Sequence, residues 1–202
     1  MPLIFVDVEA YGGAPSVGAM TEFGAVLYPR TQRGWTTFHG VVRQSRPSEA
    51  NPAVPELVKN DDSWSPWYEF NEEGYRTYAT SELLIYQKFD RWLIDVCRGT
   101  GRPVFVSDNI AFDWQWINDG FWRHLGRNPF GHSGRRISDY YAGLCGDFHK
   151  TQAWKRLRVT KHTHHPVDDA KGNAEVMERI QKSLQYRLAR KEFIPLIISD
   201  DV

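Results

Sequence analysis

The first forty residues contain three stretches in which apolar and β-branched side chains dominate. Residues 3–6 (Leu-Ile-Phe-Val) form an unbroken apolar run, which predicts a strand buried on both faces of a sheet. Residues 20–28 and 35–42 are two further runs rich in β-forming residues, and the polar residues 29–34 join them. The pattern therefore predicts one buried strand followed by a β-hairpin.

A helical period of hydrophobic positions begins near residue 80. Apolar side chains at positions 83, 86, 89, 93 and 96 predict an amphipathic helix over residues 80–98. Residues 103–106 predict another buried strand, and residues 113–125 predict a second helix. This part of the chain therefore contributes a helix, a strand and a helix.

The last third of the chain adds a short strand and a long helix. Residues 136–138 predict a short strand that runs into a helix over 139–144. Proline is favoured at the first position of a helix, so Pro166 predicts the start of a helix that continues to about residue 189. The order of elements predicts a single α/β domain with a mixed sheet, antiparallel at its start and parallel after the first helix.

Residues 44–80 interrupt this pattern with four prolines and six aromatic side chains. A connection this long and irregular is typical of a lid, a contact surface or a binding loop. We predict one domain over residues 1–190 that contains this insertion, and a C-terminal tail over residues 191–202. If the chain forms a homodimer, we expect residues 44–80 to be the contact surface.

Composition agrees with a globular domain. The chain has 202 residues, of which 41% are hydrophobic and 25% are charged. No apolar run approaches the roughly 18–20 residues that span a bilayer, and no basic segment precedes the first apolar run, so we expect a cytoplasmic protein. Cys97 and Cys145 lie far apart without a C-x-x-C spacing, which argues against a disulfide scaffold or a cysteine zinc site.

Charge is balanced overall but is unevenly distributed along the chain. The 25 basic and 25 acidic side chains cancel, whereas residues 121–165 carry nine basic and two acidic ones. We call these nine residues the basic block: Arg123, Arg127, Arg135, Arg136, Lys150, Lys155, Arg156, Arg158 and Lys161. Such a block is typical of a surface that meets phosphates, although a solvated basic face has the same composition.

Two carboxylates follow the first apolar run. Side chains two apart on a strand project from the same face, so Asp7 and Glu9 share one spot at the end of the strand. Each disfavours ionisation of the other unless a cation is present, which indicates a divalent metal with oxygen ligands. The alternative is an ordinary solvated strand end.

A third carboxylate follows the later buried strand. Asp113 lies near the start of a predicted helix, where an acidic side chain also stabilises the helix dipole without any function. The helix face that it shares with Ile117 and Phe121 is expected to turn toward the sheet. Because ligands bind at the carboxyl ends of strands in open α/β sheets, we expect Asp113 to point at that end.

A cluster of histidines precedes the last helix. His162, His164 and His165 lie on the predicted loop before Pro166, and Asp169 follows in the first helical turn beside the core stripe. The three histidines leave a zinc site as an alternative, but no cysteine accompanies them.

In combination, these segments resemble the three motifs of the DEDDh 3′-to-5′ exonucleases, which have a ribonuclease H-like fold. The matching segments are D-V-E at 7–9, N-I-A-F-D at 109–113 and H-H-P-V-D-D-A at 164–170, and they are most similar to the small bacterial and phage exoribonuclease-like branch. The resemblance implies two Mg²⁺ or Mn²⁺ ions held by four carboxylates, with His164 as the general base. The four are Asp7, Glu9, Asp113 and Asp169. His165 is an alternative base with one residue less spacing to Asp169.

Substrate contacts are expected next to the catalytic positions. Ala10 stands where Thr is often seen in the family, and Asn109 belongs to the second motif. Tyr11, on a predicted glycine-flanked loop, and Phe112 are candidates for stacking the terminal bases, as is Trp114, although aromatic side chains are more often buried.

We therefore predict a metal-dependent 3′-to-5′ exonuclease that releases nucleoside monophosphates from single-stranded nucleic acid, with RNA favoured by the resemblance alone. Two alternatives remain open. One is a catalytically silent nucleic-acid-binding module of the same fold. The other is a DNA-directed or small-nucleotide phosphodiesterase that uses the same cluster.

Overall fold

The computed structural model describes residues 1–42 and 81–189, and for residues 186–189 it describes the backbone alone. Within these ranges five strands form one sheet. They are β1 (Leu3–Tyr11), β2 (Ala19–Tyr28), β3 (Thr37–Val41), β4 (Val104–Ser107) and β5 (Gly134–Arg136).

The strand order in the sheet is β3-β2-β1-β4-β5. The pairs β1–β2 and β2–β3 are antiparallel, and the pairs β1–β4 and β4–β5 are parallel. The predicted mixed sheet, antiparallel first and parallel after the first helix, is confirmed. β1 lies at its centre and has a neighbour on each side, so its apolar residues are buried on both faces as the unbroken run predicts.

Four α-helices and one short 3₁₀ helix flank the sheet in the described ranges. They are α1 (Glu82–Val96), α2 (Ile110–Leu125), α3 (Ile137–Cys145), the 3₁₀ helix (Ala153–Leu157) and α4 (Pro166–Ala189). Ser81 caps α1 by accepting a hydrogen bond from the Leu84 N–H at 3.4 Å. None of these helices combines the length and the apolar character needed to cross a bilayer.

Two apolar layers enclose the sheet. On one face, α1 and α2 bury an aromatic cluster whose members include Phe23, Phe89, Phe105 and Phe121. On the other face, Phe5 and Val26 of the sheet pack under α3, the 3₁₀ helix and α4. Burial of each large apolar side chain contributes about 1.5–3 kcal/mol to the free energy of folding. The two layers hold both ends of the sheet in fixed positions relative to the helices.

Three boundaries differ from the prediction. β5 ends at Arg136 and α3 begins at Ile137, so the strand lies two residues earlier than predicted. α2 begins at Ile110 rather than at residue 113, because the apolar Ile110 and Phe112 pack against the core as helical residues. The 3₁₀ helix is not predicted by the hydrophobic period, because a five-residue element is too short to show one.

The expected insertion at 44–80 and the tail at 191–202 lie outside the described residues. The proposed domain limits at 1–190 and the homodimer contact therefore stay predictions.

Candidate active site

Three carboxylates meet at the carboxyl end of β1. One oxygen each from Asp7, Glu9 and Asp169 lies within 4.8 Å of the other two. Asp7 and Glu9 project from the same face of β1, as the period of two predicts. The pairing of β1 with β2 shifts register between Glu9 and Ala10, an irregularity of the kind that often lies next to active sites.

A glycine on β2 lets α4 bring Asp169 to this point. Gly24 pairs with Asp7 across the two strands, and a Cβ atom built on Gly24 would lie 2.3 Å from the backbone of both Pro166 and Val167. A side chain is therefore excluded at this position. The first turn of α4 rests directly on β2, and Asp169 in that turn reaches Asp7.

The cluster is electrostatically unfavourable without a cation. Burial among protein atoms is the largest cause that raises the pKa of Asp7 well above its ordinary value, although part of its surface still meets solvent. Three neighbouring carboxyl groups raise the pKa further: Asp113, Asp169 and Glu9. Arg158 lowers it, but less than these effects together raise it. A set of converging carboxylate oxygens is the donor set that hard divalent cations prefer, so the site fits such an ion.

Asp113 lies beside the cluster but is not one of the three converging residues. It is 4% exposed, and its Oδ1 accepts a hydrogen bond from the Val8 N–H at 3.1 Å. Burial raises its pKa to about 7, while hydrogen bonds from the Ser107 hydroxyl and the Val8 N–H act in the opposite direction. Its effect on the pKa of Asp7 places its charge next to the Asp7 carboxyl group.

The histidine loop is anchored to Asp169 through its backbone. The Thr163 N–H donates to Asp169 Oδ1 at 3.1 Å, and the His164 N–H donates to Asp169 Oδ2 at 3.2 Å. The His164 side chain is 62% exposed, and its Nδ1 lies 4.0 Å from Glu9 Oε1. Its backbone has a φ of 59°, the left-handed region that a non-glycine residue seldom occupies. His164 is thus held at the edge of the cluster with its ring open to solvent.

The other two histidines have different surroundings. His162 was not assigned a role from the sequence, yet its Nδ1 lies 2.6 Å from Asp169 Oδ2 and its ring packs against that of His164. His165 is only partly exposed, and its ring packs on His39 of β3 with centroids 4.8 Å apart. Its carbonyl accepts the Asp169 N–H at 3.0 Å. His165 is therefore held at the start of α4.

The predicted substrate-binding positions divide between surface and core. Asn109 is exposed just before α2, and Phe112 is partly exposed on its first turn. Tyr11 does not lie on the expected loop: it ends β1, pairs with Ala19 of β2 and is 7% exposed. Ala10 packs against the core.

Trp114 also packs inward, against Phe105, with ring centroids 5.2 Å apart. Phe112 likewise packs against the core, on Trp116, so both aromatic side chains are only partly exposed.

Sequence reasoning missed a group of side chains behind the site. Ser107 is fully buried and influences the pKa of Asp113, and Arg158, known from the sequence only as a member of the basic block, lies close enough to Asp7 to oppose the rise in its pKa. Glu22 is fully buried on β2, opposite Glu9, and pairs with His39. None of these residues stands in a motif. Only the presence of an acidic residue within the β-forming run 20–28 could have singled out Glu22.

The chain is similar to known nucleases. It is 32% identical over 184 residues to the 3′-5′ DNA exonuclease Cap18 of Escherichia coli, an alignment that covers 89% of this chain and 91% of that protein. No protein-family model matches it.

Two solved structures share the fold. The nuclease domain of 3′hExo, a DEDDh family member bound to rAMP, has a TM-score of 0.63 at 17% identity, over 90% of this chain and 92% of that one. Escherichia coli exonuclease I in complex with a dT13 oligonucleotide has a TM-score of 0.57 at 13% identity. That match covers 94% of this chain but 43% of exonuclease I, so the chain spans under half of that protein.

Proposed function

Because the chain belongs to the DEDDh superfamily of metal-dependent 3′-to-5′ exonucleases, we propose that it removes nucleoside monophosphates successively from the 3′ end of single-stranded DNA. The choice of DNA follows the name of the relative that is 32% identical. The preference for RNA expected from the sequence stays a prediction, and the experiment below measures it directly.

The observation that carries the proposal is the convergence of Asp7, Glu9 and Asp169 within 4.8 Å of one another. We propose that these residues, together with the neighbouring Asp113, hold two Mg²⁺ or Mn²⁺ ions. Ions bound there would make a water molecule nucleophilic and stabilise the negative charge on the leaving 3′ oxygen. The four carboxyl groups would orient that pair, and the Val8 N–H would hold Asp113 in place.

We propose that His164 takes the proton from the attacking water. Its ring is open to solvent at the edge of the cluster, while its backbone N–H is fixed on Asp169. The His164 side chain can therefore rotate without displacing the start of α4. The His162 Nδ1 lies against Asp169 and the His165 ring packs on His39, whereas the His164 ring, which packs on His162, is 62% exposed. A positioned general base typically contributes about 10²–10⁴-fold to the rate.

A cavity beside Asp7 supplies a path for the strand. It has a volume of about 330 Å³, and its lining includes Asp7, Lys155, Arg158, Lys161 and His162. The basic side chains of this cavity would meet backbone phosphates next to the bond that is cut. Phe112 is partly exposed on the helical turn that carries Asp113, and we propose that the terminal base stacks on its ring.

The test uses single-stranded DNA and RNA of the same sequence, labelled at the 5′ end and carrying either a 3′ hydroxyl or a 3′ phosphate. With Mg²⁺ we expect a ladder that shortens from the 3′ hydroxyl end, release of monophosphates, and faster decay of DNA. Asp7→Ala is the control that should show no ladder. Internal cleavage, or equal decay of the blocked strand, would contradict the proposal, and faster decay of RNA would restore the RNA prediction.

A further inference from the structure

A buried acidic residue lies on β2, one strand away from the metal-ligating pair. The Glu22 side chain has no exposed surface, and Glu22 stands directly opposite Glu9 in the β1–β2 register. Its Oε2 lies 2.7 Å from Nε2 of His39, which is about a third exposed on β3. Its Oε1 accepts no hydrogen bond from the described residues. Glu22 thus relies on His39 for its side-chain hydrogen bond.

Such a pair is a poor way to stabilise the sheet. Removing a carboxylate from water costs several kcal/mol, and one partner recovers that cost only in part. An apolar residue at position 22 would extend the buried surface of β2 without this cost. We therefore expect the pair of Glu22 and His39 to have a role other than stabilising the fold.

His39 connects the pair to the histidine loop. Its ring packs against the ring of His165 with centroids 4.8 Å apart and an angle of 60° between the planes. The His165 carbonyl accepts the Asp169 N–H at 3.0 Å, and its N–H donates to Thr163 Oγ1 at 3.3 Å. A displacement of His165 would therefore move both the loop that carries His164 and the helical turn that carries Asp169.

We propose that Glu22 and His39 form a positioning pair that holds His165 and, through it, sets the histidine loop and the first turn of α4 over the metal-ligating carboxylates. The inference rests on the proposed exonuclease function. Neither residue touches the reacting atoms. Glu22 fixes the ring of His39, and His39 presents a face against which His165 packs.

A double-mutant cycle between positions 39 and 165 tests the pair. We expect His39→Ala to lower kcat by about 10-fold to 100-fold, the usual effect of removing a residue that orients an active-site group, with little change in the KM for the oligonucleotide. Because both residues act through the same contact, adding His165→Ala to His39→Ala should change kcat by less than about 2-fold. Independent effects that multiply would overturn the inference.

Two conservative variants separate positioning from simple loss of folding. His39→Gln keeps a donor for Glu22 but removes the ring, so it should fold and still lose kcat. Glu22→Gln keeps the shape but weakens the hold on His39, and we expect an intermediate loss. His149→Ala, an exposed histidine on a distant loop, is the matched control and should behave as the wild type. A folded His39→Gln protein with wild-type kcat would overturn the inference.

Amide hydrogen exchange supplies a readout that does not depend on activity. In His39→Gln we expect faster exchange at the His164 and Asp169 amides, while amides in the middle of β1 stay protected. Unchanged exchange at the loop would contradict the inference. If the wild-type protein degrades no oligonucleotide, the proposed function is wrong. If the wild type is active and the His39 variants have the same kcat, only the positioning pair is refuted.

Discussion

At the scale of single residues, the site places carboxyl groups where each makes its neighbours harder to ionise. Burial and three adjacent acids raise the pKa of Asp7, and burial raises that of Asp113 to about 7. A protein selected for stability alone would not keep this arrangement. The strain is relieved when cations bind, so the residues that bind metal are also the residues that destabilise the metal-free protein.

Removal of a metal-ligating carboxylate should abolish turnover. Loss of a residue that merely supports a metal ligand typically costs 10-fold to 100-fold, so we expect Asp7→Ala, Glu9→Ala and Asp169→Ala each to lower kcat by more than about 100-fold. Steady-state assays in Mg²⁺ with circular dichroism to verify folding will measure this effect. Asp168→Ala, one residue from Asp169 but outside the cluster, is the matched control. A variant that keeps its rate excludes that residue from the site.

The three histidines should differ in their effect on the rate. His164→Ala should lower kcat by about 10²–10⁴-fold, because a general base contributes to the chemical step and not to binding. His165→Ala should cost less, since its ring packs on His39 and not on the cluster. The comparison is made at saturating Mn²⁺ and saturating oligonucleotide. If His165→Ala proves the slower enzyme, His164 is not the base.

The metal-free protein should lose stability as the pH rises. A carboxyl group whose pKa is higher in the folded chain keeps its proton in a range where the unfolded chain has already lost it. For Asp113 this range runs from about 4, the ordinary value, to about 7, so the free energy of unfolding should fall across it. Thermal melts in EDTA between pH 4 and pH 8 will measure the fall, and Mg²⁺ should reverse it.

The same argument predicts a stabilising substitution. At pH 8 without metal, Asp7→Asn should raise Tm by at least about 2 °C, because 1 kcal/mol corresponds to roughly 2–4 °C in a domain of this size. Asp168→Asn, outside the cluster, should leave Tm unchanged. A lower Tm in Asp7→Asn would show that repulsion among the carboxylates is not a significant cost.

At the scale of elements, the site depends on how closely α4 lies against β2. The contact of Gly24 with Pro166 and Val167 leaves no room for a side chain. The carboxylate of Asp169 reaches the end of β1 because a strand and a helix that are far apart in sequence touch at their backbones. The position of the helix start, and not its propensity to be helical, therefore decides whether the cluster forms.

A methyl group on Gly24 should separate these two elements. We expect Gly24→Ala to destabilise the protein by about 1–3 kcal/mol, the usual cost of overpacking, and to lower kcat because Asp169 is pushed away from Asp7. Urea denaturation and steady-state kinetics measure the two effects. Gly143→Ala on α3, where nothing lies within 4 Å of an added Cβ, is the control and should be neutral or stabilising. Retention of both stability and rate in Gly24→Ala would contradict the close-contact argument.

At the scale of the whole molecule, the basic block turns out to be largely neutralised by the protein itself. Five of its members form ion pairs with carboxylates: Arg123, Arg127, Arg136, Lys150 and Lys155. Arg158 donates to Asn173 and lies over the ring of Trp154. Arg135, Arg156 and Lys161 are exposed and make no ion pair with the described residues. Long-range attraction of a nucleic acid therefore depends on fewer charges than the sequence suggests.

Binding should consequently show a modest salt dependence to which Arg156 and Lys161, which lie closer in the chain to the histidine loop than Arg135 does, contribute. Each phosphate contact contributes about 0.7 to the slope of log K against log salt for single strands, so the double variant Arg156→Glu/Lys161→Glu should reduce the slope by about 1–1.5. The measurement uses an Asp7→Asn background, so that the strand is not degraded. Arg33→Glu, at the opposite end of the sheet, is the control. An unchanged slope would mean that the strand passes elsewhere.

The sequence by itself determined the order of strands and helices, the mixed sheet and the three motifs. Local rules suffice for these features, because the alternation along β1 places Asp7 and Glu9 on one face and the spacing from Pro166 places Asp169 in a first helical turn. These positions follow from the chain within a few residues of each side chain.

Only the tertiary structure decided which of these residues meet and what supports them. Tyr11 is buried although it follows the motif residues on β1, and Arg123, Arg127 and Lys155 of the basic block form ion pairs with carboxylates far from them in the sequence. The contact of His39 with His165 joins residues more than a hundred positions apart. Such contacts depend on the packing of whole elements against one another. A hydrophobic period records which side of each element is buried, but it does not record which neighbour that side will meet.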